Sequence, residues 1–173
     1  MPSKRTKREW KNGPTPRFVE RYHRRVAFGV SKVTFLTGLG FVVKAEHGGA
    51  GCRDDVRSID WKAASAGDDY GNQTQSEQAR WNTAPKSLRK MLAPITWHNP
   101  YVSVMRSCPV DHNEYAKLSA LGCGPLPPDI RPGLARRVKM LSAILSCCEI
   151  GDKHDWNIGF DKFKRPFLID YAL

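Results

Sequence analysis

Apolar positions change their period along this chain, and each change marks a different kind of element. From Val26 to Lys44 the run VAFGVSKVTFLTGLGFVVK is rich in β-branched and aromatic residues broken by glycines, which predicts strand, turn, strand. Val33, Phe35 and Leu36 fall on one strand, Thr37-Gly38-Leu39-Gly40 forms the turn, and Phe41, Val42 and Val43 open the next strand of an antiparallel sheet. From Ala45 to Tyr70 the composition shifts to Gly, Asp, Ser and Ala, so about 47–70 reads as a long loop or insertion. Asn72 to Trp81 has good helix formers after a polar start and predicts a short helix that ends before Pro85 and carries Glu77. Met91 to Trp97 and Tyr101 to Met105 predict two strands joined tightly through His98-Asn99-Pro100, with a hinge-like segment from Arg106 to Val110 behind them.

His112 to Leu121 predicts a further short helix, and Gly122 to Pro132 a proline-rich loop. Leu134, Val138, Leu141, Leu145 and Cys148 then recur at spacings of four, three, four and three. That places one apolar face on a helix from about Gly133 to Cys148, with Arg136, Arg137 and Lys139 on the other face. Such a stripe is core packing and carries no chemistry. The chain has no internal repeat, and strands followed by helices give an α+β fold class.

At 173 residues the chain is one domain or one small bilobal unit. A net charge of +11 and a pI near 9.7 suit a polyanionic partner: nucleotide, nucleic acid or acidic protein. Much of the charge lies in residues 1–25, from Lys4 to Arg25, among Pro2, Gly13, Pro14 and Pro16 and without a sustained apolar period. This segment reads as a solvated, partly disordered basic tail, with contact to nucleic acid or another polyanion as the alternative. No long apolar run follows it, so neither a signal peptide nor a membrane span is expected. Cys52, Cys108, Cys123, Cys147 and Cys148 are odd in number and lack paired CxxC spacing, which points to reduced structural thiols and a cytoplasmic setting, the host cytoplasm if the protein is viral.

The candidate chemistry sits behind the striped helix. The run GDKHDWNIGF from Gly151 to Phe160, followed by FLIDY from Phe167 to Tyr171, spaces Asp152, Asn157 and Asp170 around a hairpin-like pair of strands. Phosphoryl transfer needs a carboxylate near the acceptor hydroxyl and hard oxygen ligands for Mg²⁺. His154 reads as a loop histidine that shapes the turn rather than a zinc ligand, and Trp156 as a packing residue.

This pair of segments resembles the catalytic core of the protein-kinase-like superfamily, closest to aminoglycoside-phosphotransferase-type enzymes and compact phage or bacterial kinase-like proteins. The resemblance implies a small antiparallel-sheet lobe with one helix, a second, minimal lobe, and an ATP/Mg²⁺-dependent phosphotransferase with a protein or small molecule as acceptor. By the same resemblance Asp152 takes the catalytic-base position, while Asn157 and Asp170 would hold the metal. Upstream, Gly29 would lie in the phosphate-covering turn, Lys44 at the end of GFVVK would take the strand-lysine position, and Glu77 would be its helix partner. Met105 to Val110 would be the adenine-facing hinge, with Met105 and Cys108 as its nucleotide-binding residues. The implied division is 26–110 for the first lobe and 111–173 for the second.

The sequence departs from the pattern in three places. One glycine stands where the family keeps three, Ala172 replaces the glycine after Asp170, and nothing follows Leu173, so the larger lobe is expected to be minimal. These departures support two competing readings. One is a non-catalytic kinase-like protein that engages a macromolecular partner through its basic surface, and the other is a basic α+β nucleic-acid-binding domain with no kinase relationship.

Overall fold

The structure is a computed structural model, described here for Trp10 and residues 13–29, 31–47, 55–61, 73–147 and 153–171. The chain divides into two compact units, the first drawn from Met1–Asn82 and Pro94–Ser107 and the second from Thr83–Ala93 and Cys108–Tyr171. The division thus falls at Ser107 and Cys108, and Thr83–Ala93 belongs with the second unit although it lies within the 26–110 stretch.

The first unit is built on a five-stranded antiparallel sheet of β1 (Val26–Phe28), β2 (Lys32–Leu36), β3 (Phe41–Glu46), β4 (Ile95–His98) and β5 (Val102–Arg106), in the order β1-β2-β3-β5-β4. The β2–β3 turn is the one read from the sequence. Gly38 and Gly40 adopt φ of 73° and 80°, conformations that a side chain would strain. The Thr37 hydroxyl donates to the Phe41 carbonyl at 2.5 Å and accepts from the Leu39 N–H at 3.2 Å, which closes the turn.

Alternation along the strands sorts the two faces of the sheet. Phe35 lies opposite Val43, Val33 opposite Ala45, and β5 adds Val104 and Val102 on the same side. These residues form a core with Trp10, Val19, Tyr22, Val56 and Ile59. Phe18, half-buried, packs against this core at ring distances of 4.8 Å from Trp10 and 5.3 Å from Phe35. Lys32, Lys44, Glu46 and Ser103 occupy the other face, all buried, where α2 (Gln73–Thr83) supplies partners for Lys32, Lys44 and Glu46.

Two expectations change in this unit. Residues 13–25 are not a solvated tail: Pro16–Tyr22 is a helix, α1, with Pro16 at its first turn and the Thr15 hydroxyl accepting from Phe18 N at 3.2 Å. Its apolar residues Phe18, Val19 and Tyr22, together with Trp10, cover the sheet, which the charges around them obscure in the sequence. The stretch read as a 47–70 insertion likewise holds a short 3-10 turn, Val56–Ser58, which buries Val56 against the same core.

The second unit contains α3 (Lys86–Arg89), α4 (His112–Gly122), α5 (Pro132–Ser146) and the hairpin of β6 (Ile158–Phe160) and β7 (Pro166–Leu168). Helix α5 packs on α4 and β7. Its most buried residues are Val138, Leu141 and Ile144, while Leu134 and Leu145 are half-buried and Cys148 lies outside the described residues. The expected stripe is therefore turned toward Ile144 by what α5 packs against.

The strand predicted over Met91–Trp97 is split. Leu168 N donates to Met91 O and Ala93 N to Leu168 O, both at 2.8 Å, so this piece pairs with β7, and only Ile95–His98 enters the five-stranded sheet. On the other edge of the hairpin Phe160 N donates to Pro109 O at 2.9 Å, and Val110 bridges Gly159. No helix among the described residues is long and apolar enough to cross a membrane.

Candidate functional site

Helix α2 differs from an ordinary packing helix because the face it buries is polar: Thr74, Glu77 and Gln78. A helix that turns polar side chains inward needs partners for them, since an unpaired buried charge costs several kcal/mol. The partners come from the sheet. Lys44 lies within β3, two residues before its end, and its Nζ donates to Glu77 Oε1 at 2.8 Å, with Glu77 fully buried. The pair expected from the order of elements is thus formed.

Lys32 was not anticipated. Its Nζ reaches the same Glu77 oxygen at 3.2 Å, so one carboxylate holds two buried ammonium groups. Nothing local in the sequence marks Lys32. It joins the cluster because the β2–β3 register sets it opposite Glu46, on the face that Lys44 shares.

Glu46, the nearby acid that could have competed for Lys44, does another task. Its carboxylate accepts from Thr74 N at 2.5 Å, satisfying a donor in the first turn of α2. Burial pushes the Glu46 carboxyl above its ordinary range, against the opposing pull of the Thr74 hydrogen bonds and the Lys32 charge. Gln78 Nε2 donates to Asn99 O at 2.5 Å and fixes the other end of the helix face. Glu77 Oε2 and Ser103 Oγ are buried without a hydrogen-bond partner among the described residues. Leftover buried polar atoms of this kind mark places where a partner is missing.

Gly29 stands in the β1–β2 turn, where its N–H donates to Lys32 O at 2.8 Å and its carbonyl lies 3.2 Å from His47 Nε2. The left-handed glycines of this sheet are Gly38 and Gly40 in the next turn, so Gly29 is not demanded by backbone conformation. Met105 is buried within β5, opposite Val42 on one side and Ile95 on the other. The chain leaves the sheet after Arg106, and Ser107 N donates to Gly40 O at 3.0 Å.

In the second unit, Asp152 lies outside the described residues. Asn157 ends the 3-10 turn Asp155–Asn157, and its Nδ2 donates to His154 Nε2 at 3.3 Å. Ile169 N donates to Asn157 O at 2.8 Å, which brings the backbones of Asn157 and Asp170 within one residue of each other across the hairpin. An amide oxygen and a carboxylate are hard donors of the kind Mg²⁺ takes. Among the described residues no group of three or more His, Cys, Asp or Glu side chains is placed to hold a metal.

Trp156 is not the packing residue expected. It is 66% exposed and makes an edge contact with the His112 ring at 4.4 Å, beside the His112 Nδ1–Asp155 Oδ2 pair at 3.0 Å. Cys108 is buried, and its carbonyl lies where a Cβ on Gly159 would collide with it. The hinge segment and β6 therefore touch backbone to backbone, which requires a glycine at 159.

No protein-family model matches this chain, and no curated protein does. Among solved structures it is similar to a co-crystal structure of WbdD with the kinase inhibitor LY294002, at 16% identity and a TM-score of 0.42 over 83% of this chain. The chain spans 31% of the length of that one. An alignment this loose leaves the functional reading to the chain's own residues.

Proposed function

We propose that this protein is an ATP- and Mg²⁺-dependent phosphotransferase of kinase-like type, with a protein or small-molecule hydroxyl as acceptor. The observation that carries the reading is the buried Lys44–Glu77 ion pair at 2.8 Å, formed between a central strand and a helix that buries little else but polar side chains. A buried ion pair is costly to desolvate, and its mutual attraction offsets that cost only in part, so its net contribution to stability is small.

In this reading Glu77 holds the Lys44 ammonium in one orientation, and Lys44 binds the nucleotide phosphates. Lys32 adds a second positive charge on the same carboxylate. Asn157 and Asp170 would hold the metal, with His154 beside the Asn157 amide at 3.3 Å. Asp152 orients the acceptor hydroxyl and takes its proton. Bound Mg²⁺-ATP supplies the phosphoryl group with its charge partly neutralised.

The test is calorimetric titration of ATP into the protein with and without Mg²⁺, for the wild type and for Asp170→Ala. Mg²⁺-dependent binding that disappears in the variant supports the assignment. Binding unchanged by the substitution sinks Asp170 as a ligand, and no binding in any arm makes the chain a non-catalytic scaffold that acts through a macromolecular partner.

A further inference from the structure

A second site lies wholly within the second unit and takes no part in the proposed transfer. Helices α4 and α5, the loop between them and the β6–β7 turn enclose a solvent-open cleft of about 830 Å³. Its walls combine two kinds of side chain. Leu121, Ile130, Leu134 and Phe163 are apolar, and Lys117, Arg131 and Arg136 are cationic. Among the described residues none of these three cations is ion-paired. Arg137 and Arg165 also line the cleft but are already neutralised, Arg137 by Glu114 at 2.7 Å and Arg165 by Asp161 at 2.6 Å. The single lining carboxylate, Asp129, leaves the cleft strongly positive.

The β6–β7 turn is held so as to present its aromatic ring. Asp161 Oδ1 accepts from Phe163 N at 2.9 Å and Arg165 N at 3.0 Å, while Oδ2 accepts from the Arg165 guanidinium. Lys164 adopts a left-handed φ of 58°, rare for a residue with a side chain, and is anchored to Asp111 at 2.7 Å. Phe163, so fixed, is 62% exposed, with Lys162 and Arg165 within 5.0 and 5.3 Å of its ring. The wall opposite includes the start of α5, where no side chain caps the helix and no acidic residue lies in the first turn. That end of the helix adds its own positive field.

We propose that this cleft docks an acidic peptide segment of a partner protein, its carboxylates on Lys117, Arg131 and Arg136 and one or two bulky apolar side chains against Phe163, Leu121 and Leu134. The charge of the chain excludes the closer occupants. Its own N-terminal residues are basic, and a second copy carries the same net charge of +11, so both would be repelled. A small anion would be left half-solvated in so open a cleft, whereas a peptide spans it. A nucleic acid would use the cations but not the aliphatic wall, for which its own contacts are stacking platforms.

The experiment is fluorescence anisotropy with the full chain and a labelled peptide, Glu-Asp-Glu-Leu-Glu-Leu-Glu-Asp-Glu. It is repeated with serine in place of both leucines and with an oligo-dT of equal charge as competitor. The expected result is saturable binding that weakens about tenfold or more in Arg131→Gln/Arg136→Gln and in Phe163→Ser, and about as much when the leucines are lost. All three substituted residues are at the surface, so an unchanged melting temperature verifies that the variants fold. No binding of the leucine peptide overturns the proposal, as does affinity that ignores the variants. Equal binding of the serine peptide reduces the cleft to a charged patch, and tighter oligo-dT binding lost in the same variants makes it a nucleic-acid surface. Either of these also overturns the peptide assignment.

Discussion

Glu77 carries two ammonium groups on one oxygen, and its neighbours differ in what they lose when it is changed. Replacing it with Ala leaves Lys32 and Lys44 buried without the carboxylate they share, so stability should fall by about 3–5 kcal/mol, read from a chemical-denaturation midpoint. Lys44→Met is milder for the fold, because Lys32 still neutralises Glu77. It should weaken ATP binding by about tenfold or more in the same calorimetric titration, and a variant that binds as the wild type does would remove Lys44 from the phosphate site. Gly159→Ala drives a methyl group into the Cys108 carbonyl, which no side-chain rotation relieves. A loss of about 3 kcal/mol is expected on urea unfolding. Of these residues Lys44 and Glu77 were legible in the order of elements. Lys32 and the need for Gly159 were not, because each depends on a partner set by strand register or by a distant backbone.

Helix α2 shows how an element can be readable while its role stays hidden. Helix formers, a polar start and a following proline place it in the sequence, but its lack of an apolar stripe would suggest a loosely held surface helix. The structure instead buries its polar face, with Glu46 satisfying the N–H of Thr74. Because burial raises the Glu46 carboxyl, the folded protein keeps that proton at a pH where the unfolded chain, near the ordinary value of 4.5, has released it. The contribution of Glu46 is therefore greatest below that value and declines as pH rises through the folded one. Glu46→Gln keeps an acceptor for Thr74 and removes the titration. Its stability relative to wild type should improve as pH increases from about 4 to 7, and parallel profiles would contradict the raised carboxyl. The Met91–Trp97 stretch makes the converse point: one apolar run read as one strand serves two sheets, since Met91–Ala93 follows β7 and Ile95–His98 follows β5.

The core of the first unit depends on residues that a charge count assigns to a solvated tail. Trp10 is 3% exposed beneath Phe18 and Trp97, so Trp10→Ala should cost about 3–5 kcal/mol, measured by thermal or chemical unfolding of the whole chain. A melting temperature unchanged by this substitution would return the segment to the role of a tail. What the sequence by itself determined was local: the β2–β3 hairpin from alternation and turn glycines, the helices from their formers, caps and apolar stripe, and the Asp152–Asn157–Asp170 spacing. These follow from neighbours within a turn or a strand length, where steric preference and periodic burial act directly on the chain. Tertiary structure decided which charges meet, which face of α5 is innermost, and that α1 covers the sheet. Lys44 and Glu77 stand 33 positions apart, and only strand register and the burial of a whole helix face bring a lysine and a carboxylate to 2.8 Å across that interval.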